Sequence, residues 1–173
     1  MNERSWLEKE EYDYISSISD MLLSTGCIVE LGTFRGGTTE LFAEKCKTSV
    51  WSVDRWGIVE EWIKAYPDYN PVEIYRRYFE RKYNNVFFVV GDSVNVAKHW
   101  DKPVELLFLD ADHGCDVTKF NFIEWDRNIV PGGWAVFHDT DLFPGLISDI
   151  LKVYTNYENV GLVSRVHVIR KKL

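Results

Sequence analysis

The sequence predicts an α/β protein: a doubly wound, mostly parallel sheet with helices on both faces. Three observations carry this. Short apolar runs alternate with segments of helical periodicity along nearly the whole chain. The runs are rich in Val, Leu and Phe without alternating polar positions, as strands covered on both faces are. Finally, Glu30, Asp54, Asp92, Asp110 and Asp139 stand at or just beyond the carboxyl ends of five successive runs. In an open α/β sheet that edge is where ligands bind.

Each element has its own warrant. "SWLEKEEYDYISSISDMLLSTG" opens with Ser5 and Glu8 at capping-box spacing and keeps approximate helical periodicity through Leu22, with Gly26 as its stop. "CIVELG" is a first strand, "GGTTELFAEKC" a helix starting just after the glycines, and "SVWSVD" a second strand. The segment from Arg55 to Tyr83 reads as two helical pieces broken at Pro67, the second capped by Asn70 with Pro71 at its first position. "VFFVVGDS" is a third strand, "SVNVAKHW" a short helix and "VELLFLDAD" a fourth strand. "DVTKFNFIEWDRNIV" reads as a helix stopped by Pro131 and Gly132, followed by a fifth strand, "WAVFHDT". "GLISDILKVYTNY" is a helix, and "VGLVSRVHVIRKK" one or two final strands. The division expected is a single domain, 1–173, with an N-terminal helix within 1–25 and a helical lid or insertion at 58–83.

Bulk properties narrow the function. A chain of 173 residues that is 46% hydrophobic and 27% charged has the size and balance of one globular domain. A net charge of −7 argues against nucleic acid or an anionic membrane as partner. Cys27, Cys46 and Cys115 are odd in number and lack metal-site spacing, so reduced thiols and a cytoplasmic location are expected. No signal-like N-terminus or bilayer-length apolar stretch is present.

The turn "VELGTFRGGTT" sets the ligand class. A dinucleotide fingerprint wants glycine at its first, third and sixth positions; here those are Gly32, Phe34 and Gly37. Phenylalanine in the middle denies a pyrophosphate its close backbone approach, and no Gly-Lys-Ser/Thr follows. The turn suits a ligand without phosphate. The order E-x-G-x-x-x-G, a strand-end acid, "GDS", "LDADH", and "PGG" before "FHDT" resembles class I S-adenosylmethionine (SAM)-dependent methyltransferases. It is most similar to the small branch related to macrolide-sugar and catechol O-methyltransferases, over about residues 26 to 140.

The resemblance implies a Rossmann-like, seven-stranded sheet and a set of roles. Glu30, Gly32, Thr33, Gly36 and Thr38 would form the turn holding the methionine part of SAM. Asp54 would bind the ribose hydroxyls; it lies just over 20 residues after Gly32, the usual spacing of a ribose acid. Asp92 and Ser93 would face the adenine. Asp110 would sit beside the methyl group, with His113 as general base toward an acceptor hydroxyl. The bland readings are that Glu30 caps a strand end, Asp54 pairs with Arg55, and His113 caps a helix.

Metal-dependent relatives use an acid at Asp110 and two oxygen ligands after the fifth strand. Here that place holds His138 and Asp139, so the metal set would be Asp110, His138 and Asp139. Histidine departs from the oxygen set that magnesium demands. Three readings stay open: a softer ion such as manganese, use of Thr140 or Asp112, or no metal. Trp56, Trp62, Tyr66 and Tyr69, with Phe143 and Pro144, are candidates to enclose a small-molecule acceptor. The expected partners are a small-molecule acceptor and, in a homodimer, a second copy of the chain. Competing functions are a non-catalytic SAM- or nucleotide-binding module and a nicotinamide-dependent oxidoreductase, the latter disfavoured by Phe34.

Overall fold

Strand β1 (Cys27–Leu31) runs through the middle of the sheet, flanked in parallel by β2 (Val50–Asp54) and β4 (Val104–Leu109). Its five residues are all buried, as are all six of β4, which is why both read as unbroken apolar runs. The computed structural model describes residues 5–55, 64, 70, 73, 75–111 and 114–173. With β3 (Val86–Val90), β5 (Ile129–Phe137), β6 (Tyr157–Val163) and β7 (Val166–Lys171) the strand order is β3-β2-β1-β4-β5-β7-β6. β7 alone runs against its neighbours, pairing antiparallel with β5 on one side and with β6, in a hairpin, on the other. The chain winds outward from β1 to β3, then returns to place β4 on the other side of β1. The sheet therefore has its topological switch point between β1 and β4, where such sheets open a ligand crevice.

Period-two alternation sends successive strand residues to opposite faces. Val29, Leu31, Leu107 and Leu109 pack under α3 (Ser93–Lys98), α4 (Cys115–Asp126) and α5 (Leu146–Val153), with Phe122, Trp125 and Ile150 fully buried among them. Ile28, Leu106, Phe108 and Val136 face the other way, beneath α1 (Lys9–Ser19), α2 (Gly37–Lys45) and a π-helical turn, Tyr75–Phe79. Each large apolar side chain buried this way contributes roughly 1.5–3 kcal/mol relative to exposure.

Three expectations are corrected. Helix α1 is capped by Glu8, not Ser5: Glu8 and Glu11 make the reciprocal capping box, and the helix ends at Ser19, short of Gly26. Ser5 instead accepts the Leu7 N–H at 3.2 Å. The "PGG" stretch does not stop a helix; α4 has already ended at Asp126, and Pro131, Gly132 and Gly133 lie inside β5. Val104 pairs with Ile129 but Leu106 with Trp134, so the ladder bulges around a proline that has no N–H to give it. The last segment is two strands. Of the 58–83 segment, the Asn70 cap is described, Asn70 Oδ1 accepting the Glu73 N–H at 3.1 Å; the break at Pro67 lies outside the described residues. Among those residues no helix is long and apolar enough to cross a membrane.

Candidate active site

The parallel ladder brings five strand ends into one row. Gly91 N–H donates to Asp54 O, Gly32 N–H to Val53 O, Asp110 N–H to Leu31 O, and His138 N–H to Leu109 O, at 2.9, 2.9, 2.9 and 3.1 Å. The strand-end residues of the sequence pattern thus share one edge, across the switch point.

The glycine turn is built against this edge. Gly32 has φ +89° and Gly36 φ +77°, both left-handed, and Gly36 is the residue from which α2 starts. Phe34 takes φ +45°, a conformation a bulky residue rarely adopts and one that clusters at functional sites. Asp54 holds the turn, its Oδ2 accepting the N–H groups of Thr33 at 2.7 Å and Phe34 at 3.3 Å. The pairing of Asp54 with Arg55 does not form; Arg55 pairs with Asp92 instead.

Glu30 lies beneath the turn, 1% exposed. Its Oε2 accepts from Thr39 and, at 2.6 Å, from Ser52. Among the described residues its Oε1 has no hydrogen-bond partner, and neither has the buried Oγ1 of Thr33. Burial pushes the Glu30 carboxyl up to about 8, against the lowering effect of the two hydroxyls. Thr39 and Ser52 escape a reading of the sequence, because a hydroxyl on a helix and one in a strand carry no signal that they share a carboxylate. Thr38 is buried in the first turn of α2, one position before the residue that makes that contact.

Asp92 caps α3, Oδ1 accepting the Asn95 N–H at 3.0 Å, while Oδ2 takes Arg55. Its burial is outweighed by these bonds, and its carboxyl is held below the usual range. Ser93 donates to Asn121 Oδ1 at 2.5 Å.

Beyond β4 and β5 lies a charged cluster. His138 Nδ1 is 3.1 Å from Asp110 Oδ1 and 3.2 Å from Asp139 Oδ1, and its Nε2 is 3.4 Å from Glu11 Oε2. Asp139 has φ +52°, which turns its carboxylate back toward the ring. Arg165, from the β6–β7 turn, bonds Glu11 through Nε at 3.0 Å and Nη2 at 3.1 Å, and Asp139 Oδ1 through Nη1 at 2.9 Å. Glu11 is wholly buried. Desolvation works against charge on Glu11, but the Glu8 backbone and Arg165 win and hold its carboxyl low. Burial likewise opposes charge on His138; the hydrogen bonds it gives to Asp110 and Asp139 overcome this and raise the imidazole to about 10. Glu11 and Arg165 are the site's unforeseen members.

This has a measurable consequence. In an unfolded chain an imidazole loses its proton near pH 6.5, whereas folded His138 keeps it to about 10. Between those values the native state holds a proton the unfolded state lacks. The stability that His138 contributes is fully present below pH 6.5 and is lost as pH rises through that window. The urea midpoint should therefore decline between pH 6.5 and about 10, and His138→Gln should flatten that decline while lowering the whole curve. A flat wild-type profile would contradict a charged imidazole.

His113 and Asp112 lie outside the described residues, as do Trp56, Trp62, Tyr66 and Tyr69. Phe143 packs against the core beside α5. Asp110, His138 and Asp139 do come together, with one ligand atom of each within 4.8 Å of the others. They do not fit a divalent ion well. Two carboxylate oxygens converge on Nδ1, which satisfies both only as a hydrogen-bearing nitrogen, the form that offers a metal no lone pair there. Thr140 Oγ1 donates to the Arg165 carbonyl at 2.9 Å.

A doubly wound sheet with its polar edge at the switch point has the architecture of the nucleotide-binding folds. The chain belongs to the methyltransferase-domain family: the family model described as "Methyltransferase domain" matches residues 29–140. It is a SAM-dependent methyltransferase of class I fold. Solved structures share that fold at low identity. The O-methyltransferase NovP superposes with TM-score 0.76 at 13% identity, over 99% of this chain and 84% of its own. A Staphylococcus aureus protein assigned as a caffeoyl-CoA O-methyltransferase gives 0.71 at 17%, over 99% and 87%. TomG from Streptomyces achromogenes, in complex with SAM, gives 0.68 at 13%, over 96% and 81%.

Proposed function

We propose that the protein methylates a hydroxyl group of a small molecule, with SAM as donor and His113 as general base. The observation that carries the cofactor half is the pair of orphaned buried atoms, Glu30 Oε1 and Thr33 Oγ1, beneath a turn that Asp54 holds open at its mouth. Buried polar atoms without partners call for a polar ligand group. When bound, SAM supplies a methyl group already activated by a sulfonium, so the protein needs no nucleophile of its own.

The chain's residues then have separate tasks. Glu30 and Thr33 would receive the amino-acid end, with the N–H groups that open α2 beside them. Asp54 would hold the ribose, and Asp92 and Ser93 would border the adenine. Asp110 would orient the acceptor at the switch point, and His113 would take its hydroxyl proton. Alignment of this kind supplies several kcal/mol of a barrier, and a positioned base typically contributes 10²–10⁴-fold. The fold relationship to O-methyltransferases supports oxygen as the accepting atom.

Calorimetry tests both halves. SAM should bind and NADH should not. Near pH 7 the folded Glu30 carboxyl is mostly protonated, and an ammonium brought beside Oε1 favours its ionised form. Binding should then release a proton, seen as a dependence of the measured heat on the buffer's ionisation enthalpy and lost in Glu30→Gln. With an acceptor found from a hydroxyl-compound screen, Asp110→Ala and His113→Ala should each lower kcat about 10²-fold or more. A chain that ignores SAM overturns the cofactor assignment. A His113→Ala variant with an unchanged pH–rate profile overturns the base.

A further inference from the structure

Metal-assisted methyl transfer needs a cation between the carboxylates that follow β4 and β5. In this chain that place is already served by side chains. Arg165 sets Nη1 on Asp139 Oδ1 at 2.9 Å and grips Glu11 with its other two nitrogens. Its backbone carbonyl accepts both the N–H and the hydroxyl of Thr140, at 3.0 and 2.9 Å, so the β6–β7 turn is clamped onto the loop that carries Asp139. The His138 ring lies between Asp110 and Asp139, its Nδ1 facing one oxygen of each. An ion at this point would contact the same Asp139 oxygen as a guanidinium, beside a ring nitrogen that presents hydrogen. Magnesium and manganese take several free oxygens in near-octahedral array; here the facing oxygens are engaged.

We propose that Arg165 and His138 replace the divalent ion, so that methyl transfer in this protein is independent of metal and the Asp110–Asp139 pair is positioned by protein cations. This rests on the reading of the rim as the methyl-transfer site. Arg165 is a positioning residue: a guanidinium is permanently charged and its planar fork fixes direction as an ion does. What it adds over a metal is dependence on α1, because the same fork must also satisfy Glu11.

The test reads the ion directly, with the intact wild-type chain and Mn²⁺ alone. Up to about 1 mM, the range of weak protein sites for divalent ions, the electron paramagnetic resonance signal of free Mn²⁺ should be undiminished by protein. The melting temperature should be unmoved by Mn²⁺ or by EDTA, since a ligand that binds only the native state would raise it. The variant His138→Asp with Arg165→Met restores an oxygen donor and removes the competing guanidinium. It should acquire one Mn²⁺ site, abolished by a further Asp110→Ala. One-to-one Mn²⁺ binding by the wild type, lost in Asp110→Ala, overturns the proposal. So does a folded double variant that still leaves Mn²⁺ free, for then the two cations are not what keeps the ion out. Should the double variant not fold, the wild-type measurements decide alone. SAM binding, measured separately, tells failure of this proposal from failure of the methyltransferase assignment.

Discussion

Arg165→Met should destabilise the protein by about 3 kcal/mol, the low end of what breaking a buried ion pair costs. Glu11 is completely buried on α1, and the guanidinium gives it two bonds, at 3.0 and 3.1 Å. Without it the carboxylate is left in the interior with the Glu8 N–H, at 2.8 Å, and His138, 3.4 Å away, to offset its charge among the described residues. For a chain of this size a loss of that order lowers the melting temperature by roughly 6–12 °C. Glu11→Gln made together with Arg165→Met should recover most of the loss, because the uncompensated charge goes with it. A double-mutant cycle by thermal or urea unfolding reads the coupling. Additive effects of the two substitutions would show that the pair is only a surface contact.

Gly32→Ala should be the more damaging change for cofactor binding. A Cβ at Gly32 would lie 2.2 Å from the Asp110 carbonyl oxygen and 2.7 Å from Ala111 Cα. Those are backbone atoms of the neighbouring strand end and cannot swing aside. The residue also sits at φ +89°, where a side chain adds strain. Overpacking and strain together come to about 3–5 kcal/mol. Relief would come by parting the ends of β1 and β4, which is the crevice itself, so SAM affinity should be lost even at temperatures where the variant stays folded. Gly36→Ala is the control. It shares the left-handed conformation, but its Cβ would meet side chains and no backbone, the ring of Phe79 at 2.6 Å and Thr39 Oγ1 at 3.7 Å, and side chains can shift. Its melting temperature should fall by less, and calorimetry should still detect SAM. Equal effects of the two would argue against the close approach of the strand ends as the cause.

What the amino-acid order disclosed, and what it hid, has a common physical origin. Strands covered on both faces are apolar, so an acid at their end stands out against the run before it. That contrast made Glu30, Asp54, Asp110 and the His138–Asp139 pair legible, and parallel pairing then had to align them. Glu11 and Arg165 offered no contrast. One lies on an amphipathic helix and the other among mixed residues near Ser164, positions where charge usually meets water. Their meeting depends on where the hairpin lands beside β5, which no local pattern encodes. Asp92 reads as a ligand-facing acid, and it serves as well as the cap of the helix that follows, a second task its position before Ser93 allows. Pro131 misled for a related reason. The rule that proline halts a helix is sound, but a bulged strand tolerates the same residue. Ser5 and Glu8 share the spacing of Glu8 and Glu11, and the choice between these caps falls to packing: Glu11 is drawn into the interior by Arg165.

The bond from Glu11 to Arg165 spans 154 positions of the chain. Synthesis proceeds from the amino end, so the helix bearing Glu11 emerges long before its partner exists. Until the β6–β7 hairpin has been made and docked, the Glu11 carboxylate lacks its guanidinium and the rim beside Asp139 is half built. Completion of that rim is in this way tied to a hairpin synthesised after the five strands that precede it.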